Sequence, residues 1–197
     1  VTGRRDDGYH TIRSVLQSVT LCDRISLAAI GDGEIRVFCD RPELSCGAGN
    51  TVRRVAEAFF ARTGTSGAGV AFSIEKKIPW QSGLGGGSAD AAAALRLLNG
   101  CFGAGLNSGE LCEIGFSVGA DVPFCILGGT MLAEGVGERL TPLPPLPPCG
   151  IVVCKPSAGT DTRGAYEALD RSESGPTDFT GPMLSALRSG EFVRVVG

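Results

Sequence analysis

Histidine occurs once, and the eight cysteines contain no Cys-x-x-Cys pair, so the residues of a structural zinc site are missing. Positive charge is not in excess either. Eighteen lysines and arginines stand against 21 acidic residues, a formal charge of -3, which supplies no basic face for nucleic acid. Apolar runs are short: residues 91–95 and 151–154 fall far below the roughly 20 residues of a membrane helix. There is no internal repeat and no Gly-X-Y period. Nothing here resembles a signal peptide, though a sequence that begins at Val1 leaves one open. These absences leave small-molecule chemistry in the cytoplasm as the expectation, with no nucleic-acid or membrane partner.

What is present is a 197-residue chain, 43% hydrophobic and 20% charged, enough for one full domain with part of a second. Most of the cysteines, at 22, 39, 46, 101, 112, 125, 149 and 154, lie in apolar segments and read as reduced core thiols. Thirty glycines are far above average usage and require loops that need them. Val1 stands where a Met would start a chain, and residues 192–197 form an apolar run without a cap, so we expect a fragment lacking material at both ends.

Periodicity predicts strands within residues 12–29 and 35–38, then an amphipathic helix over 51–63 with Val52, Val55, Ala58 and Phe59 on one face. Alternation of Val70, Phe72 and Ile74 with polar or small residues marks another strand. A helix of strong formers follows over 89–98. Asn107 and Glu110 have the spacing of a capping box for a helix to 116. A strand is expected over 130–134, a buried strand over 151–154, a helix over 163–169 and a polar loop over 171–178. The five prolines within 142–148 suggest a domain boundary, giving domains of 1–148 and 149–197. Without regular βαβ alternation, the fold class is α+β.

Three constellations bear chemistry. The first is Pro79-Trp80-Gln81-Ser82-Gly83-Leu84-Gly85-Gly86-Gly87-Ser88-Ala89-Asp90. A bare glycine run could be a loop capped by Ser88. Here a strand precedes it and an Ala-rich helix follows, the setting in which backbone amides and a helix dipole receive phosphate. The run lacks the Lys of G-x-x-x-x-G-K-[ST], and Ser88 replaces the third glycine of G-x-G-x-x-G, which disfavours P-loop NTPases and dinucleotide folds. Asp90, in the first turn, suits the dipole but repels phosphate unless it points away or faces magnesium. The second is Gly119-Ala120-Asp121-Val122-Pro123. Its acid is either an ordinary helix cap or a carboxylate that takes a proton from an alcohol during phosphoryl transfer. The third, Gly8-Tyr9-His10, offers an aromatic face and ring nitrogens suited to a heterocyclic base.

Residues 79–92 resemble the second motif of the GHMP kinases, small-molecule kinases of two-domain α+β fold. Their N-terminal domain carries a left-handed βαβ unit of the ribosomal protein S5 domain 2-like kind. Thr2 to His10, Gly119 to Pro123 and Ala133 to Glu138 extend the resemblance to a branch whose acceptor bears a cytidylyl group. The resemblance implies ATP- and Mg²⁺-dependent phosphorylation of an alcohol, with Asp121 catalytic. It implies that Gly83, Leu84, Gly85, Gly86, Gly87 and Ser88 wrap the ATP phosphates, with Asn50 and Lys76 on the adenine side. Tyr9 and His10 would hold cytosine, and Thr162 and Tyr166 would close that pocket. It names no metal ligand. A catalytic lysine and a third glycine-rich motif of the family are absent from this sequence. Another acceptor of the mevalonate or homoserine type, or a non-catalytic nucleotide-binding module, remains open.

Overall fold

The structure is a computed structural model that describes residues 1–65, 69–155, 159, 162–171 and 179–190. It divides into two compact units, Thr20–Leu127 and Val1–Val19 with Gly128–Gly197.

In the first of these units, the alternating segment forms a strand, Val70–Glu75, whose Val70, Phe72 and Ile74 are buried. It is the middle of a three-stranded sheet. Strand β3 (Arg24–Ala29) pairs with it antiparallel, from Arg24 opposite Glu75 to Ala29 opposite Val70, and β4 (Ile35–Cys39) pairs parallel. Numbered in chain order the middle strand is β5, and the helix between β4 and β5 is α1 (Thr51–Thr63), the crossover that a parallel pair requires. Asn50 caps α1 through the Val52 amide, and Gly64 ends it in the left-handed region at φ 69°. Helix α2 (Gly86–Cys101) runs from the glycine segment, α3 (Ser108–Phe116) opens on the expected Asn107–Glu110 box, and α4 (Val122–Leu127) follows Asp121. Phe59, Phe72, Leu95 and Leu98 are fully buried at the centre of this unit's core. Gly115 is where α3 meets α4: a Cβ there would lie 2.6 Å from Val122 Cγ1.

The other unit holds an antiparallel sheet in the order β1 (Gly3–Arg4), β2 (His10–Gln17), β6 (Thr130–Gly135), β7 (Arg139–Pro142). Helix α5 (Thr162–Asp170) covers the expected 163–169 segment, and α6 (Thr180–Ser189) packs on β2, where Thr180 Oγ1 donates to the Arg13 carbonyl at 2.9 Å.

Several expectations change. The apolar stretch 12–29 makes two strands in different sheets, because residues 18–23 leave the first sheet before the second begins. Helix α2 starts at Gly86 rather than 89: Gly85 at φ 67° turns the chain into it, and a Cβ on Gly86 would press Ile78 Cγ2 at 3.1 Å. Strand β7 was not anticipated, since its last residue is Pro142. Residues 151–154 form no strand and are exposed, because no described strand lies beside them to complete a ladder. The cysteines are all free, but they are not core residues. Cys22, Cys101, Cys149 and Cys154 are exposed, and the other four pack part-buried at the core's edge. Burial raises the thiols of Cys39 and Cys112 and pushes Cys125 to about 11, which keeps these three protonated. The segments 172–178 and 192–197 lie outside the described residues.

Candidate functional site

The exit of β5 leads into a cavity of about 570 Å³ walled by Asn50, Lys76, Trp80, Gly83 to Ser88 and Asp90. Its floor is the first turn of α2. No side chain caps that turn, and the first intrahelical bond runs from the Ala89 amide to the Gly85 carbonyl, so the amides of Gly86, Gly87 and Ser88 have no helical partner. Gly83 and Gly85 sit at φ 72° and 67°, and Gln81 is the one positive-φ residue other than glycine among those described. This geometry presents consecutive N–H donors and a positive dipole end to a cavity, the chemistry of an anion cradle. Leu84 lies in the loop half-exposed, its amide donating to Ser82 Oγ at 3.3 Å.

Asn50 spends its side chain on structure: Oδ1 accepts from the Val52 amide at 2.9 Å, and Nδ2 donates to the Ser45 carbonyl at 2.9 Å. Thr51 Oγ1 donates to the Gly87 carbonyl at 2.8 Å, tying α1 to the first turn of α2. The Lys76 ammonium is buried between two carboxylates. It donates to Asp90 Oδ2 at 2.8 Å and to Asp23 Oδ2 at closer range. Burial works against the charged lysine, yet the two carboxylates raise its pKa above the ordinary value. Burial would raise Asp23 as well, but Lys76 and the amides of Ile78 and Lys77 outweigh it and hold that carboxyl low. Asp90 differs: burial dominates, the neighbouring Asp23 adds to it, and its pKa rises to about 6 despite Lys76. Asp90 Oδ1 is buried and unpartnered. Asp90 thus lines the cavity with its carboxylate held against Lys76.

Asp121 is exposed immediately before α4, and its carbonyl accepts from the Cys125 amide at 3.2 Å, so it holds the cap position. A Cβ on Gly119 would lie 3.9 Å from Ser88 Oγ. The segment that carries Asp121 thus meets the first turn of α2, and two of the three motifs converge.

The third motif gathers separately, in the unit that contains β2. His10 stacks on Tyr166 with centroids 4.5 Å apart and planes 11° apart, and its Nε2 lies 2.7 Å from Asp170 Oδ1. Arg4 approaches the same carboxylate at 3.2 Å, and the His10 bond, then the nearby cations, hold Asp170 below its ordinary pKa. Tyr9 is 65% exposed, its amide donating to Asp7 Oδ1 at 3.1 Å. The side chain of Thr162 lies outside the described residues. Sequence reading missed Asp23, Asp40, Thr51 and Asp170. Only Asp170 carried a signal, four residues after Tyr166 on one helix face.

Among the described residues, no three His, Cys, Asp or Glu side chains gather as metal ligands, and no helix is long and apolar enough to cross a membrane. The family model "GHMP kinases N terminal domain" matches residues 50–129. The chain is 41% identical over 187 residues to the 4-diphosphocytidyl-2-C-methyl-D-erythritol kinase of Acetivibrio thermocellus, covering 95% of this chain and 65% of that protein. It is 41% identical over 195 residues to the enzyme of that name from Moorella thermoacetica, covering 97% and 67%. A crystal structure of 4-(cytidine 5'-diphospho)-2C-methyl-D-erythritol kinase superposes with a TM-score of 0.71 at 34% identity, over 96% of this chain and 67% of that one. The chain thus spans about two thirds of the length of these relatives.

Proposed function

The chain belongs to the GHMP kinase family, and on that premise we propose that it transfers the γ-phosphoryl group of ATP to the 2-hydroxyl of 4-diphosphocytidyl-2-C-methyl-D-erythritol. The step belongs to isoprenoid-precursor synthesis by the non-mevalonate route. The observation that carries this reading is the meeting of the Gly119–Asp121 segment with Ser88 beside the glycine-walled cavity. It supports a carboxylate close to the cradle for the phosphates.

In this reading the amides of Gly86, Gly87 and Ser88 bind the phosphates, and the left-handed glycines before them allow the backbone to approach closely. Asn50 and Lys76, which line the same cavity, are assigned to its adenine side. Asp121 orients the acceptor hydroxyl and accepts its proton as the oxygen bonds to the γ-phosphorus and the bond to the β-phosphate oxygen breaks. His10, Tyr166, Tyr9 and Thr162 receive the cytosine, with Asp170 holding the His10 ring in one orientation. Magnesium, when bound with ATP, supplies charge neutralisation at the phosphates. We assign residues 1–148 to the family's N-terminal domain and 149–197 to the start of its second, and we place the protein in the cytoplasm, where its thiols stay reduced.

The test is ATP-dependent phosphorylation of 4-diphosphocytidyl-2-C-methyl-D-erythritol by this chain extended to the length of its relatives, with mevalonate and homoserine as control acceptors. Turnover of the cytidylyl substrate alone is expected. Turnover only with a control would move the acceptor, and a folded protein inactive with all three would be a nucleotide-binding module.

A further inference from the structure

The loop from Pro79 to Gly85 hangs between two fixed ends, and the same buried carboxylate reaches both. Where β5 ends, three successive backbone amides point at aspartates from other segments. Lys76 N–H donates to Asp40 Oδ1 at 3.0 Å, and Lys77 and Ile78 N–H donate to Asp23 Oδ1 at 2.5 and 2.8 Å. The other oxygen of Asp23 takes the Lys76 ammonium, which continues to Asp90 on α2. The Asp23 side chain is 2% exposed, and its bonds to the Lys76 ammonium and the Ile78 amide are part-buried. The Lys76–Asp90 bond joins the loop's own flanks, and Asp23 and Asp40 add a hold on its first end from remote segments.

We propose that Asp23 is a positioning residue for the nucleotide: it anchors the strand exit through two amides and, through Lys76, sets the first turn of α2 against that exit. Asp23 touches no phosphate itself. Its effect is to fix the distance across which Trp80 to Gly85 close over the cavity, so that the free amides of Gly86 to Ser88 are already aimed when an anion arrives. Preorganised donors bind without the entropy cost of ordering a loop. The observation that requires an explanation is the charge balance. Two buried carboxylates share one lysine under a cavity built for an anion, an arrangement that gives no evident return in packing. Holding the loop's two ends in register supplies that return. This inference rests on the cavity being the ATP site.

Trp80, the only tryptophan in the chain, lines the cavity and is 56% exposed, so its fluorescence reports Mg·ATP binding without turnover. Asp23→Asn keeps the side chain's shape and removes its charge. The expected result is an ATP dissociation constant raised by about tenfold or more, read on protein that remains folded by circular dichroism. In the extended enzyme, the KM for ATP should rise while the KM for the acceptor stays put, a split that general destabilisation does not produce. Unaltered ATP affinity in folded Asp23→Asn overturns the proposal and leaves the ATP site standing. Absence of ATP binding by the unaltered chain overturns both. Should Asp23→Asn fail to fold, amide exchange in the unaltered chain decides. Slow exchange at Lys77 and Ile78 that slows further with Mg·ATP supports the anchor, and exchange at the rate of an open loop overturns it.

Discussion

Replacing Asp90 by Asn should remove a contribution that makes this protein less stable as the pH rises from acid to neutrality. Asp90 is 6% exposed, has one unpartnered oxygen, and titrates at about 6 where an ordinary aspartate titrates at 3.8. Between those values the folded chain carries one proton more than the unfolded chain. Stability contributed by this group is therefore highest below the lower value and falls as pH rises through about 6. Raising a carboxyl from 3.8 to about 6 corresponds to about 3 kcal/mol lost at neutral pH relative to acid. Asp23 has its pKa lowered, so its stabilisation is present above 3.8 and disappears only further into acid, while that of Lys76 disappears only above 10.5. Neither intrudes on the window, and groups remote from the triad titrate alike in both chains and cancel. Urea unfolding at pH 4.5, 5.5, 6.5 and 7.5 measures the difference. The unaltered chain should lose about 2 kcal/mol relative to Asp90→Asn between the ends of that range. A flat difference would refute the reasoning. So would the opposite slope, which would mean that Asp90 stays ionised as a stabilising partner of Lys76. A buried acid that costs stability at neutral pH, in the wall of a cavity, is the kind of local conflict found at functional sites.

In the enzyme extended to its relatives' length, Asp121→Asn should depress phosphoryl transfer by about 10²–10⁴ while Trp80 fluorescence reports unchanged ATP affinity; full turnover would remove the acid from the reaction. Asp170→Asn should raise the KM of the cytidylyl acceptor by roughly tenfold through a loosened His10, leaving the KM for ATP alone. An equal change in both constants would count against a role confined to the base pocket. Gly115→Ala would place a Cβ 2.6 Å from Val122 Cγ1 and 3.1 Å from Ile126 Cδ1, so a loss of about 1–3 kcal/mol is expected in urea unfolding. Because the displaced helix is the one Asp121 precedes, turnover should fall with it; a neutral substitution would show that the α3–α4 contact has slack.

Local chemistry was readable ahead of the structure wherever a segment settles its own conformation. Helix α1 runs from 51 to 63 as its apolar face and the Asn50 and Gly64 caps dictate, and the Asn107–Glu110 box opens α3 because both halves of the cap lie within one turn. Residues 70–75 alternate because one face of β5 is core and the other is not. Reading failed where the partner is remote. The run 12–29 has strand character throughout, but its pairing changes from β6 to β5, strands far along the chain. Residues 151–154 have the composition of a buried strand without a described neighbour to make them one.

The site divides along the same line. Glycines that admit left-handed backbone, and a helix that starts behind them, are properties of consecutive residues, so the turn at Gly83 to Gly85 and the helix opening behind it were legible in the sequence. The electrostatics beside that turn are not consecutive. Asp23 stands 53 residues before Lys76, which stands 14 before Asp90, and no spacing rule joins them. An aspartate opening a strand at Cys22-Asp23-Arg24 looks like any other surface acid until β3 and β5 pair and bring it under the Lys77 and Ile78 amides. Motifs mark where a ligand's backbone contacts lie, whereas the charges that tune those contacts come from whichever segments the sheet register brings alongside.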